Sequence, residues 1–144
     1  MKSVLTVVGA RPQFIKSAAV SRCIREQFDQ DLSEIIVHTG QHYSDAMSAQ
    51  HFVQMRLTTP HVVLQLEHAQ DPAKRMAEMI EKIAVLIDQY TPDFVLVYGD
   101  TDSTLAGALA AELRRVPLVH VEAGLRSHRR DMPEERNRIL TDHL

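Results

Sequence analysis

Strand-length apolar runs alternate with helical patterns along this chain, and that alternation constrains its fold more than any other feature. The runs at 3–8, 34–38, 94–98 and 117–121 are almost purely apolar, with a weaker one at 61–66. Strands of that kind are buried on both faces, as in parallel sheets covered by helices on either side. Helical patterns fill the intervals, at 13–27, near 45–55, at 72–90, at 102–115 and from Glu134 onward. Asp71-Pro72 reads as a helix start, the aspartate capping free N–H groups and the proline sitting where its missing N–H costs nothing. Met76, Ile80, Ile83, Ala84 and Ile87 then recur at helical spacing. On the first helix the packing side is read as Ile15, Ala18, Ala19 and Cys23, and on the 102–115 helix Ala106, Gly107, Ala110 and Ala111 permit close approach to a sheet. Right-handed crossovers between such units give an α/β fold, a Rossmann-like parallel sheet with helices on both faces. Residues 1–144 are expected to form a single domain, with no repeat or low-complexity linker.

Composition narrows the function. A net charge of -3 and the lack of a basic, aromatic-interleaved patch argue against a nucleic-acid partner. No segment approaches the roughly 20 apolar residues of a membrane helix, and the N-terminus lacks signal-peptide features, so a soluble, cytoplasmic protein is expected. The single cysteine, Cys23, is read as a buried packing residue in a reducing compartment.

In open parallel sheets ligands bind beyond the carboxyl ends of the strands. The residues just past the strands are Gly9-Ala10-Arg11-Pro12, Gly40-Gln41-His42, Gly99-Asp100-Thr101 and Glu122-Ala123-Gly124-Leu125-Arg126. Gly9 and Arg11 lie at a helix N-terminus, where free N–H groups and a guanidinium suit a diphosphate; the alternative is a turn glycine beside a solvated arginine. Asp100 and Glu122 are either acid–base carboxylates brought together by neighbouring strands or caps for the helices after them, and the cap is the weaker reading for Glu122. Glu134 and Glu135 suit the positive end of the last helix. His120 is read as structural, and His38 and His42 are not on one helix face, so no metal site is expected. The glycine pattern is neither a G-x-G-x-x-G fingerprint nor a P-loop, and no nucleophile elbow is present.

Taken together, VVGARPQFIK at 7–16, HTGQHYSD at 38–45, DFVLVYGDTDSTLAGALAA at 93–111, PLVHVEAGLRS at 117–127 and MPEERNRILTDHL at 132–144 closely resemble the non-hydrolysing UDP-N-acetylglucosamine 2-epimerases. The segment from about 51 to 72 adds little to the likeness. The resemblance implies a bacterial cytoplasmic enzyme that interconverts UDP-N-acetylglucosamine and UDP-N-acetylmannosamine for surface polysaccharide synthesis, by eliminating and re-adding UDP without a cofactor. It implies two Rossmann-like domains facing a cleft, the GT-B arrangement, commonly as a homodimer. Carried over by position, Asp100, Glu122 and Glu134 match catalytic carboxylates. Arg11 and Lys16 match basic residues near the phosphates, and Arg138 a further active-site arginine. Gln41 and His42 match a loop that binds a second, regulatory nucleotide sugar in some members. Ser44 stands where regulated members carry a longer polar residue, which argues against such regulation here.

The same resemblance implies that family members are more than twice as long. On that basis the chain is expected to be the first half of the enzyme, weakly active or inactive by itself. The alternatives are one half of a split enzyme completed by a second-domain chain, a non-catalytic UDP-sugar-binding module, and a hydrolysing relative that releases N-acetylmannosamine. Retention of three carboxylates speaks against a simple binder.

Overall fold

The computed structural model of the chain describes residues 1–40 and 58–144. Strand β1 (Lys2–Val8) lies at the centre of a five-stranded sheet, which is why Val4, Leu5, Val7 and Val8 are all buried. β2 (Leu32–His38) and β3 (Val62–Val63) extend the sheet on one side, β4 (Phe94–Tyr98) and β5 (Leu118–Val121) on the other. Every pairing is parallel and the order is β3-β2-β1-β4-β5, that of a doubly wound sheet. Ligands of such sheets approach beyond the carboxyl ends of β1 and β4, where the winding reverses.

Alternate residues of the strands feed two cores. Val4, Val8, Ile36, Leu96 and Tyr98 pack under helix α1 (Arg11–Gln27) through Phe14 and Ile24. Leu5, Val7, Val37, Val95 and Val97 pack under α2 (Pro72–Tyr90) and α3 (Asp102–Leu113). A fourth helix, α4 (Pro133–Asp142), lies against α3. The expected two-faced sheet is therefore present. Asp71 accepts from the Ala73 and Lys74 N–H groups, and Ile83, Ala84 and Ile87 are buried with Met79, which the stripe had not included. Gly107 sits so near the sheet that a Cβ there would lie 3.0 Å from Val97 and 3.2 Å from Val7.

The packing face of α1 differs from the expectation. Gln13, Phe14, Ser17, Ser21 and Ile24 are buried, whereas Ile15 is 51% exposed and Cys23 only partly covered. Apolar spacing gave the wrong rotation because a polar residue fixes it. The Gln13 side chain must reach inward, accepting from the N–H groups of Gly9 and Ala10 and donating to the Tyr98 carbonyl.

The third strand is shorter than the expected 61–66. β2 stops at His38 and the chain turns at Gly40 with φ +76°, so only Val62 and Val63 pair with β2 in register. The N–H groups of Glu67 and His68 instead go to the Glu78 carboxylate of α2. α3 closes at Leu113, two residues early, where Arg115 adopts a left-handed turn at φ 55°. The helix expected near 45–55, together with Gln41 and His42, lies outside the described residues.

Candidate active site

Three successive carbonyls at the end of β4 are each held by a side chain from another element. The Tyr98 carbonyl accepts from Gln13 Nε2 of α1 at 2.7 Å and from Thr104 Oγ1 at 2.6 Å. The Gly99 carbonyl accepts from His120 of β5 at 2.7 Å, and the Asp100 carbonyl from Asn137 of α4 at 3.1 Å. Gly99 has φ +70°, where a side chain would be strained, and a Cβ would lie 3.3 Å from a Glu122 carboxylate oxygen. The turn that carries Asp100 is thereby fixed from three sides.

Asp100 does not cap the next helix. Thr101 does so, its hydroxyl accepting from the Thr104 N–H at 3.3 Å, and the Asp100 carboxylate is left to face Arg138 at 2.9 Å. Arg138 Nε donates to the backbone carbonyl of Glu122 at 3.1 Å, and Nη2 lies 3.9 Å from its carboxylate. That carboxylate is paired with Lys16 of α1 at 2.7 Å. The sequence-derived residues Lys16, Glu122, Arg138 and Asp100 thus form one line of alternating charge across the ends of β1, β5 and β4.

Glu122 has φ +69°. A left-handed non-glycine residue costs roughly 1–3 kcal/mol and persists where its surroundings over-determine it. Here Arg138 holds its carbonyl and Lys16 its carboxylate. The Asp100 and Glu122 side chains are not enclosed: they are 27% and 30% exposed, and each faces a cation. The outer ion pair is also the weaker one. Lys16 is 43% exposed, and exposed pairs contribute only about 0–1 kcal/mol.

The anion site at the start of α1 is smaller than its glycine suggested. The Gly9 and Ala10 N–H groups are already taken by Gln13 Oε1, at 2.7 and 3.0 Å. Gly9 is needed for closeness instead: a Cβ would fall 2.0 Å from Ser103 Oγ and 2.4 Å from Thr39 Oγ1. What remains for an anion is the exposed Arg11 side chain, which has no ion pair among the described residues. Glu134 is likewise exposed and unpaired among them, in the first turn of α4.

Its neighbour has another task. Glu135 is 3% exposed and accepts from the Ser127 N–H, the Ser127 hydroxyl and the His128 N–H. Those bonds, the Ser127 N–H foremost, hold its carboxyl below the usual range. Asp142, at the other end of α4, accepts from Gly124 N–H, Arg126 and His120. One helix therefore fastens both ends of the 123–128 loop beside Glu122. Among the described residues no group of three or more metal-ligating side chains gathers, and no helix is long and apolar enough to cross a membrane.

A family model described as UDP-N-acetylglucosamine 2-epimerase matches residues 25–144. The chain belongs to the UDP-N-acetylglucosamine 2-epimerase family. A UDP-N-acetylglucosamine 2-epimerase homolog of Methanococcus maripaludis is 49% identical over 98% of this chain and 38% of its own length. A UDP-2,3-diacetamido-2,3-dideoxy-D-glucuronate 2-epimerase of Pseudomonas aeruginosa is 52% identical over 98% of this chain and 39% of its own. The crystal structure of the Methanocaldococcus jannaschii UDP-GlcNAc 2-epimerase in complex with UDP-GlcNAc and UDP superposes with a TM-score of 0.88, at 38% identity, over 99% of this chain and 38% of that one. This epimerase-family chain thus spans about two fifths of the length of the relatives it matches, and its sheet is equivalent to the first half of their GT-B fold.

Within this epimerase-family site, sequence reasoning missed Gln13, Asn137 and Asp142, and set His120 aside. Gln13 left a faint signal, a glutamine three residues after a helix cap, as in a capping box, but with alanine at the cap. Asn137 and Asp142 left none, since their roles depend on how α4 docks.

Proposed function

We propose that this chain forms one wall of a site that inverts C2 of a UDP-linked 2-acetamido sugar. The observation that carries the reading is the alternating line Lys16–Glu122–Arg138–Asp100 at the carboxyl ends of the strands. In the free protein the four charges cancel. A diphosphate would compete for the exposed Lys16, whose bond to Glu122 is cheap to exchange, and Arg11 would add a second cation. Glu122 would then be released beside the sugar while Arg138, 13% exposed, keeps the strand ends in place. Ligand binding and carboxylate activation become one event.

The chemistry follows from that exchange. A carboxylate takes the C2 proton, the C2–H electrons form the C1=C2 bond, and the C1–O electrons leave with UDP. Re-addition of UDP at C1 and of a proton to the other face of C2 completes the inversion. Asp100, Glu122 and Glu134 are the carboxylates for these proton transfers, and Lys16, Arg11 and Arg138 stabilise the charge on the departing diphosphate. The reaction needs no redox or metal cofactor.

The 52% identity to an epimerase of a diacetamido-uronate favours a second choice of sugar on the same UDP. C2 and its acetamido group are common to both sugars, so the proton transfers are unchanged and only the groups at C3 and C6 differ.

The test fuses this chain to the remaining part of the Methanococcus maripaludis relative and follows deuterium entry at C2 from heavy water, with each sugar. Exchange that is lost in Glu122→Gln supports the reading. Undiminished exchange in that variant, or none in the fusion, overturns it. The isolated chain is expected to exchange far more slowly than the fusion, as an open site cannot exclude water.

A further inference from the structure

We infer that Asn137 is a positioning residue whose amide sets where Asp100 stands relative to Glu134, two of the carboxylates assigned above to the proton transfers. The inference rests on those proposed roles. Asn137 lies on α4 and is 8% exposed. Its Nδ2 donates to the Asp100 carbonyl at 3.1 Å and to Asp102 Oδ1 at 3.0 Å. A carbonyl only accepts, so the amide nitrogen and not its oxygen must face Asp100. That nitrogen carries two hydrogens, and both are committed. Buried as it is, Asn137 acts through Asp100 rather than on a substrate.

Consecutive residues of one helix therefore hold the two ends of Asp100. Asn137 takes its carbonyl, and Arg138 takes its carboxylate at 2.9 Å. Glu134 precedes them by three and four positions, so it shares their face of α4. The span between Asp100 and Glu134 is thus fixed by a single helix.

The second amide bond anchors this clamp to the rest of the layer. Asp102, in the first turn of α3, accepts from Asn137 through Oδ1 and from Arg75 of α2 through Oδ2, the latter at 2.7 Å. Arg75 also donates to the Ala69 carbonyl at 2.8 Å. Three helices meet at Asp102, and Asn137 passes their placement on to the Asp100 turn.

Exchanging two side chains separates positioning from packing. Asn137→Asp turns a carboxylate toward the Asp100 carbonyl and the Asp102 carboxylate, and should lower the melting temperature of the full 144-residue chain. Adding Asp102→Asn supplies an amide that can donate back to position 137 while its oxygen still accepts from Arg75, so the melting temperature should recover. The Asp100 carbonyl stays without its donor. In the fusion, Asn137→Asp should lower kcat for C2 exchange about 10- to 100-fold with KM within about twofold, and the double variant should stay as slow. Recovery of kcat together with the melting temperature would make Asn137 a packing residue and overturn the inference, as would an undiminished kcat in Asn137→Asp. In the chain alone, the Asp100 amide and Arg138 Nε–H resonances should move in both variants while the Ile36 amide stays still. Unmoved Asp100 and Arg138 signals overturn the inference whatever the fusion does. A fusion inactive before any substitution counts against the epimerase reading instead, and the resonances then decide whether Asn137 holds Asp100.

Discussion

Arg138 of α4 joins the ends of two strands, with Nη2 2.9 Å from the Asp100 carboxylate of the β4 turn and Nε 3.1 Å from the Glu122 carbonyl of β5. The two bonds leave a planar guanidinium in different directions, and a lysine ammonium cannot copy that fork. Arg138→Lys should keep the charge and lose one of the two bonds. C2 exchange in the fusion is expected to fall by roughly two to three orders of magnitude, the usual cost of removing one preorganised charge stabiliser. A variant with full exchange would remove Arg138 from the site.

Adjacent glutamates on α4 should separate cleanly. Glu134→Gln removes an exposed first-turn charge and should change stability by less than about 1 kcal/mol while abolishing C2 exchange. Glu135→Gln replaces a buried acceptor of three bonds with an amide that must turn a donor toward one of them. Its melting temperature should fall by several degrees, and thermal unfolding by circular dichroism tells the two apart.

Gly9→Ala places a methyl within 2.0 Å of Ser103 Oγ, an overlap that cannot be absorbed by a small shift. Destabilisation of about 2–3 kcal/mol is expected in urea unfolding, the upper range for overpacking. Adding Ser103→Gly should recover part of it, because the two substitutions share one contact. Additivity of the two losses would show that the strain lies elsewhere.

Acid should open the protein in order. Asp142 and Glu135 are held below their ordinary values of 3.8 and 4.5, so their stabilisation is complete above those values and is lost as pH falls through the lowered ones. Amide protons of Gly124, Ser127 and His128 should lose protection below pH roughly 4. Glu78 is held at about 2, first by Lys82 and then by the Glu67 N–H, so the 67–68 segment should stay closed longest. Hydrogen exchange that shows the opposite order would contradict the assignment.

The sheet was legible because its strand runs are almost purely apolar, as strands covered by helices on both faces are. Asp100 and Glu122 were legible as members of one rim because strand ends converge whatever the loops do, whereas Lys16 and Arg138 were legible only through the family resemblance. The rotation of α1 was not, since apolar spacing cannot register that Gln13 is drawn inward by backbone groups just past β1 and at the end of β4. β3 was misjudged for a related reason: its length depends on where β2 turns away at Gly40, not on its own residues. The roles of Asn137, His120 and Asp142 appear only once α4 is docked, because each partner lies 21 to 37 positions away.

The amide of Gln13 ties the start of α1 to the end of β4. Lys16 rides on that helix one turn later, and Asp100 comes two residues after that strand. The cation that would greet a phosphate and the carboxylate that would meet the sugar therefore share a common mounting. The proposed nucleotide sugar would find little of this wall left to freeze, so less of its binding energy would be lost to ordering and more would remain for distorting the bond that must break.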